Sequence, residues 1–146
     1  MNKLNMNEVP SLLVGERSSS LEASGRMSIP SPWRPSFRSK SIFALTSRMG
    51  EIPFNLLFPE VNFRWLLESV DPDKVAPLLR SAEQIEVDGQ ARFVLPRSSH
   101  VIPSSVSILG AGAYLQVFPN SVAELIRSGD QEIIDGIATP LLGKPV

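Results

Sequence analysis

The chain contains no cysteine and only one histidine, His100. The absence of cysteine excludes disulfide frameworks, thiol nucleophiles and cysteine-ligated zinc, and it favours a reducing cytoplasm. One histidine is too few for a histidine-rich metal site, and no carboxylate or serine pattern around it supports a Ser-His-Asp triad. We therefore expect no metal, no cofactor and no enzymatic activity.

Long hydrophobic runs are also missing from the sequence. The apolar run at 12–14 is far shorter than a signal-peptide core or the roughly 18 apolar residues of a membrane span. Hydrophobic residues make up 42% of the 146 residues and charged residues 20%, which is ordinary globular composition. We expect a soluble protein without a membrane partner, formed by one compact domain or two small intertwined ones.

The charge is small in total but unevenly distributed. The formal net charge is −1, which speaks against a general electrostatic nucleic-acid binder. Residues 1–66 nevertheless carry a net charge of +3, whereas residues 67–146 carry −4. The first half is therefore the better candidate for contact with an anionic partner.

One nine-residue pattern occurs twice. Glu-Ala-Ser-Gly-Arg-Met-Ser-Ile-Pro at 22–30 is matched by Asp-Gly-Gln-Ala-Arg-Phe-Val-Leu-Pro at 88–96, with a constant displacement of 66 residues. The matching landmarks are Glu22 and Asp88, Arg26 and Arg92, and Pro30 and Pro96. Such a displacement indicates an internal duplication.

Short apolar and alternating segments predict four strands in each copy. The predicted strands are 17–21, 26–29, 42–46 and 55–58 in the first copy, and 84–87, 92–95, 106–109 and 114–118 in the second. The Gly110-Ala111-Gly112 stretch predicts a tighter turn in the second inner hairpin. Each copy alone is too small to bury both of its faces. Two copies packed together would close a barrel, which removes exposed strand edges.

Proline and polar residues mark the remaining segments. We expect a helical start at 31–34, a Pro-containing connection at 71–77, a turn or short helix through His100 and a loose tail from Ile137. After Pro59, a short amphipathic helix should place Val61, Trp65 and Leu66 on one face, and Ser121 with Glu124 should form a capping box for the last helix. Trp33, Phe58 and Trp65 are expected in the core or at a subunit interface.

Several short motifs together carry a family resemblance. They are Gly15-Glu16, the 21–26 segment Leu-Glu-Ala-Ser-Gly-Arg, Ile29-Pro30, Trp33-Arg34, Asp71-Pro72-Asp73, the 86–92 segment Glu-Val-Asp-Gly-Gln-Ala-Arg, and Gly110-Ala111-Gly112. On these residues the chain resembles the MraZ family, within the SpoVT-AbrB superfamily, from about 12 to 127. The resemblance implies an α+β, mainly β fold with tandem SpoVT-AbrB repeats, which form a swapped-hairpin β-barrel packed as a pseudo-dimer with short flanking helices.

The duplication and the resemblance together divide the chain into five parts. These are a flexible leader at 1–11, a first repeat at 12–70, a connector at 71–80, a second repeat at 81–128, and a C-terminal helix and tail at 129–146.

The resemblance also implies a function. MraZ proteins are DNA-binding transcriptional repressors that form homo-oligomeric rings and recognise short direct repeats upstream of the bacterial division and cell-wall gene cluster. The chain would then be cytoplasmic and associated with the nucleoid, with double-stranded DNA as partner and no small-molecule substrate. Carried over by motif, the DNA-binding residues are Arg26, Arg92, Ser24, Gly25, Gln90, Ala91 and Arg34, with Glu22 and Asp88 orienting the two turns.

Three residues depart from the family pattern. Glu22 replaces an aspartate, Ala91 replaces a glycine, and His100 stands where the second repeat often carries the counterpart of Arg34. If the backbone at 91 needs a positive φ, alanine there costs roughly 1 kcal/mol or more.

Two alternatives stay open at this point. The two carboxylate–arginine pairs could be structural ion pairs, worth about 0–1 kcal/mol when exposed. The chain could also be an AbrB-like oligomeric protein-interaction or antitoxin-type module without specific DNA binding.

Overall fold

The structure is a computed structural model that describes residues 9–37, 41–96 and 105–141. It is α+β and mainly β, and all eight predicted strands are present. The strands are β1 Glu16–Ser20, β2 Arg26–Ser28, β3 Ser41–Met49, β4 Ile52–Pro59, β5 Glu83–Glu86, β6 Arg92–Val94, β7 Ser105–Gly110 and β8 Leu115–Pro119. The helices are a 3-10 helix at Ser31–Phe37, α1 Glu60–Ser69, α2 Pro72–Ser81 and α3 Asn120–Leu141.

Six strands form one antiparallel sheet in the order β1-β7-β8-β4-β3-β5. The first strand of the chain thus pairs with the second inner hairpin, and β5 pairs with the first inner hairpin. Each strand can be replaced by its counterpart from the other half of the chain, β1 by β5, β7 by β3 and β8 by β4. The result is the same order read from the opposite edge of the sheet. The two halves of the sequence are therefore interleaved in one sheet.

The strands do not form a closed hydrogen-bonded barrel in the part of the chain that the structure describes. Strands β2 and β6 pair only with each other and make a separate two-stranded ribbon. Each of these strands is three residues long, and neither pairs with a strand of the large sheet in the described part of the chain. The edges of that sheet, β1 and β5, consequently have one strand neighbour each.

The first inner hairpin has a shorter turn than the second, which is the opposite of the expectation. Strands β3 and β4 extend about three residues further than predicted and end at a turn of two residues, with Met49 opposite Ile52. The second hairpin has a four-residue loop between Gly110 and Leu115, so the expected tighter turn there is wrong. The N-terminal segment crosses this loop, since Leu13 bridges to Gly112 and the carbonyl of Gly15 accepts a bond from Gly110.

The short helix predicted after Pro59 is present as α1, but its buried face is formed by residues other than the predicted ones. Asn62 and Phe63 are buried, whereas Trp65 is 41% exposed and therefore does not belong to the core of this chain. Phe63 stacks on Phe43 with ring centroids 4.7 Å apart. The apolar partners of α1 on β3 and β4 determine which face of the helix is covered.

The expected connection at 71–77 is largely helix α2. Pro72 occupies the first turn, where its missing N–H is not needed, and Asp71 precedes it at the N-cap position. Proline between predicted elements indicates a loop, but proline in the first turn is also typical of a helix start, as at Pro72.

Helix α3 begins and ends differently from the prediction. It begins at Asn120, so Ser121 lies inside the first turn and is not the cap residue. The helix continues to Leu141, and the backbone from Ile137 to that residue is helical and not a loose tail. His100 lies outside the described residues. None of the described helices is long and apolar enough to span a membrane.

The main core lies between the large sheet and the ribbon. Its members are buried apolar residues, among them Leu13, Met27, Ile29, Trp33, Phe37, Ile42, Leu57, Phe93, Ile108 and Leu115. Burying each such side chain contributes about 1.5–3 kcal/mol before entropy is subtracted. Trp33 and Phe58 are buried as expected.

The described end of the predicted leader is held in place by Asn62. The buried amide of Asn62 accepts a bond from the Ser11 N–H at 2.8 Å and donates to the carbonyls of Ser11 and Ala113. This amide thereby ties the N-terminal segment to the loop between β7 and β8.

Candidate nucleic-acid interface

The two repeated motifs fold into turns with the same backbone hydrogen bonds. In the first turn the N–H of Glu22 donates to the Arg26 carbonyl at 3.0 Å, and the N–H of Gly25 donates to the Glu22 carbonyl at 2.8 Å. In the second turn the corresponding distances are 2.9 Å from Asp88 to Arg92 and 3.0 Å from Ala91 to Asp88. Each turn therefore delivers its arginine at the first residue of the strand that follows.

The carboxylate of Asp88 organises the second turn. Its Oδ1 accepts from the backbone N–H groups of Gln90 at 2.8 Å and Arg92 at 2.9 Å. Its Oδ2 accepts from Nε of Arg92 at 3.0 Å. The bond from the Arg92 backbone is the main cause that lowers the pKa of Asp88 below its ordinary value, with further contributions from Gln90 and the Arg92 guanidinium. Asp88 thus orients Arg92, as the motif predicts.

Glu22 does not play the same role in the first turn. Its side chain makes no hydrogen bond to Arg26 among the described residues, and the Arg26 backbone N–H instead approaches Ser24 Oγ at a long 3.4 Å. The extra methylene of glutamate carries its carboxylate past the local N–H groups that an aspartate reaches. The Arg26 guanidinium has no ion pair within the described part of the chain, so it is the less constrained of the two arginines.

The residue before each arginine has a left-handed backbone. Gly25 has a φ of 90° and Ala91 a φ of 60°. Ala91 therefore carries the steric cost expected for an L-residue, about 1–2 kcal/mol. Its turn keeps the shape of the first one in spite of this substitution.

The ribbon of β2 and β6 places the two arginines on one surface. Arg26 lies opposite Val94, and Ser28 lies opposite Arg92, so these four side chains share a face. Between them, Met27 and Phe93 point inward and are both 3% exposed. The arginines are diagonal neighbours, which corresponds to Cα atoms about 7–8 Å apart.

The ends of the ribbon are fastened by a further matched pair of hydrogen bonds. The Leu95 N–H donates to the Gly25 carbonyl at 2.9 Å, and the Ile29 N–H donates to the Ala91 carbonyl at 2.8 Å. Each turn is thus held by the strand from the other half of the chain.

A hollow of about 400 Å³ borders this ribbon on the side of β5. Arg26 and Arg92 line it together with three carboxylates, those of Glu83, Glu86 and Asp88. The sequence analysis did not single out Glu83 or Glu86, because only the pairing of β5 with β3 places that strand near the ribbon. With more acidic than basic groups, this hollow is a poor phosphate site, and the arginines are better placed to contact groups beyond its rim.

Arg34 lies beside the second turn and not the first. Its Nε donates to the Ile29 carbonyl at 2.8 Å, and its side chain lines a cavity of about 450 Å³ with Asp88, Gly89 and Ala91. The 3-10 helix places Arg34 there, since Trp33 and Phe37 anchor that helix in the core. The predicted DNA-binding residues therefore lie on the ribbon, in its two turns or, for Arg34, beside the second turn.

Two further residues of this surface were missed by sequence reasoning, Ser28 and Val94. Strand alternation contains the signal, because residues two positions after each arginine share its face. Among the described residues, no cluster of His, Asp or Glu side chains could hold a metal ion.

No protein-family model and no curated protein matches the chain. The MraZ resemblance accordingly stays a prediction that rests on the doubled motif and its neighbours.

Proposed function

We propose that the protein is a sequence-specific DNA-binding transcriptional regulator of the MraZ type. The observation that carries the proposal is the β2–β6 ribbon, which presents Arg26 and Arg92 on one solvent-facing surface. A two-stranded ribbon fits the major groove of B-DNA, and arginine is the commonest reader of guanine there through O6 and N7. The carboxylate of Asp88 orients Arg92 for such a contact.

The repeated geometry supports an origin by duplication into two SpoVT-AbrB units. The backbone bonds of both turns, and those that join each turn to the other strand, correspond under a displacement of 66 residues. The order of the six-stranded sheet is unchanged when the strands of the two halves are exchanged. A pseudo-dimer with swapped hairpins accounts for both features.

The spacing of the arginines suits base contacts. Diagonal positions about 7–8 Å apart correspond to roughly two steps of the DNA helix at 3.4 Å each. The acidic groups beside the ribbon disfavour nonspecific attraction to phosphates. Specificity would then come from base edges more than from charge.

Affinity comes from several subunits acting together. A chain with a net charge of −1 and few arginines at its ribbon binds one site weakly. A homo-oligomeric ring that places its ribbons on adjacent direct repeats multiplies this affinity without new contacts. In this proposal the target is the promoter of the division and cell-wall gene cluster, and the protein represses that cluster in the nucleoid.

The direct test compares arginine variants on duplexes selected from a randomised pool by the wild-type protein. We expect Arg26→Ala and Arg92→Ala each to weaken binding about 5- to 150-fold, the value of one bidentate guanine contact. Arg48→Ala is the matched control, because Arg48 lies at the far end of β3 and bonds only the local carbonyl of Glu51 among its described hydrogen bonds. Size-exclusion chromatography checks that every variant keeps its oligomeric state.

A second candidate function is an oligomeric protein-interaction or antitoxin-type module. Helix α3 favours it, since this helix leaves large apolar side chains exposed, namely Leu125, Ile133, Ile134 and Ile137. If the arginine variants retain wild-type behaviour in every DNA assay, the regulator is excluded and this module becomes the better explanation.

A further inference from the structure

The two halves of the ribbon's outward face have the same backbone pairing but different side chains. Its four positions form two cross-strand pairs, Arg26 with Val94 and Ser28 with Arg92. Under the displacement that relates the two motifs, Ser28 corresponds to Val94. One arginine therefore has an aliphatic neighbour, while the other has a hydroxyl neighbour.

Val94 is an exposed apolar residue on this face. It is 41% exposed, although the neighbouring Phe93 on the inner face is 3% exposed. Its Cγ1 lies 3.5 Å from where a Cβ on Gly25 would stand, so the glycine turn forms the surface beside it. Val94 is thus an exposed apolar residue opposite Arg26 and two positions after Arg92, on the face that the proposed function directs at DNA.

The bases offer different partners to these two side chains. In the major groove only thymine presents a methyl group, which apolar side chains contact, whereas a serine hydroxyl bonds donors and acceptors alike. An aliphatic side chain thus selects thymine, and a serine at the equivalent position selects much less strongly. The two ends of one ribbon would prefer different base pairs.

We propose that Val94 is a specificity-determining residue that contacts the methyl group of a thymine next to the base read by Arg26. Ser28 occupies the equivalent place beside Arg92 and leaves that neighbouring base weakly specified. This inference rests on the proposed function. It gives each recognition site a direction, so that several subunits arranged in the same sense read direct repeats and not palindromes.

The experiment replaces thymines by uracil in duplexes selected by the wild-type protein. Uracil lacks only the C5 methyl group, so base pairing and charge are unchanged. Wild-type affinity should fall about fourfold at one thymine of the site, as expected for one buried methyl group. Val94→Ser should lose this sensitivity, while Val94→Thr, which keeps a methyl group, should retain it.

A swap variant and a control refine the test. On a duplex that carries a thymine beside both guanines, Ser28→Val combined with Val94→Ser should move the uracil sensitivity from the thymine beside the first guanine to the thymine beside the other. Leu79→Ser makes a similar exposed apolar-to-serine change on α2 and should keep the wild-type pattern, as Leu79 is 52% exposed. Circular dichroism and thermal melting confirm that each variant is folded.

The outcomes separate the two proposals. If a site is selected but no uracil substitution changes wild-type affinity, the Val94 contact is wrong and DNA binding stands. If Val94→Ser keeps the sensitivity, another residue contacts the methyl group and the inference is equally overturned. If the wild-type protein selects no duplex at all, both the inference and the proposed function fail.

Discussion

Ala91 adopts a φ of 60° at the position that corresponds, 66 residues later, to Gly25 with a φ of 90°. The same left-handed turn is therefore made once with a residue that favours it and once with a residue that does not. The difference between these two positions is measurable in folding stability.

Exchanging the two residue types should shift stability in opposite directions. Ala91→Gly should raise the free energy of unfolding by about 0.5–1 kcal/mol, since relief of left-handed strain exceeds the added entropy of the unfolded chain. Gly25→Ala should lower it by roughly 1 kcal/mol for the converse reason. Urea denaturation followed by circular dichroism measures both changes.

Gly89 supplies the control for that experiment. Its φ lies outside the left-handed range and a Cβ there would meet nothing within 4 Å. Gly89→Ala should therefore be neutral or slightly stabilising. Equal losses at Gly25 and Gly89 would show that backbone φ is not the cause.

The ionisation of Asp88 should affect the second turn only in acid. Its pKa is lowered from the ordinary value of 3.8 by bonds that the charged form accepts. Their contribution is complete above that value and is lost as the pH falls through the lower, folded-state pKa. Carboxyl NMR should therefore show Asp88 titrating below 3.8, with no change in the turn between pH 5 and pH 8.

Asp88→Asn extends this prediction to DNA binding at neutral pH. Losing the charged partner of Arg92 should weaken binding about two- to fivefold, the range of an exposed ion pair. Glu22→Gln makes the matched change at a carboxylate that forms no hydrogen bond or ion pair with the Arg26 side chain in the described part of the chain, and it should leave binding nearly unchanged. A larger effect at Glu22 than at Asp88 would contradict the proposed difference between the turns.

The carboxylates of Glu83 and Glu86 should suppress nonspecific binding. Replacing both by glutamine should tighten binding to an unrelated duplex roughly two- to tenfold at low salt, because two repulsive charges near the phosphates are removed. The ratio of specific to nonspecific affinity should fall. Glu124→Gln removes one charge on α3 and should change neither quantity in a fluorescence anisotropy titration, provided that the ribbon is the DNA surface.

Removing the Asn62 amide should destabilise the whole fold. Asn62→Ala leaves the backbone groups of Ser11 and Ala113 without their buried partner, and we expect a cost of about 1–3 kcal/mol. Gln131→Ala also removes an amide, but Gln131 bonds only the neighbouring Asp135 among its described hydrogen bonds, and both residues are exposed, so water replaces that bond. A loss at Gln131 as large as that at Asn62 would contradict the role of Asn62 in holding the N-terminal segment.

Affinity should depend steeply on the number of repeats in the DNA. Duplexes with one, two and four copies of the selected site should bind with increasing strength, and the second copy should add about a hundredfold. Anisotropy titrations at one salt concentration measure this directly. The same affinity for all three duplexes would rule out the multivalent account.

Much of the local structure follows from the sequence alone. The eight strands were predictable because alternation and turn residues act over a few neighbouring positions. The doubled motif likewise placed Glu22 and Asp88 four residues before an arginine. Proline was misleading at Pro72, since the same residue that ends a strand also begins a helix.

Only the tertiary structure decided how strands from the two halves of the chain pair with each other. Strand pairing joins residues far apart in the chain, and long-range packing selects among partners that local patterns leave equivalent. The pairing of β2 with β6 places Arg26 opposite Val94, and that of β5 with β3 brings Glu83 near the ribbon. The sequence by itself determined that two arginine-bearing turns exist, whereas folding determined that they share one surface, because cross-strand register depends on the core beneath it.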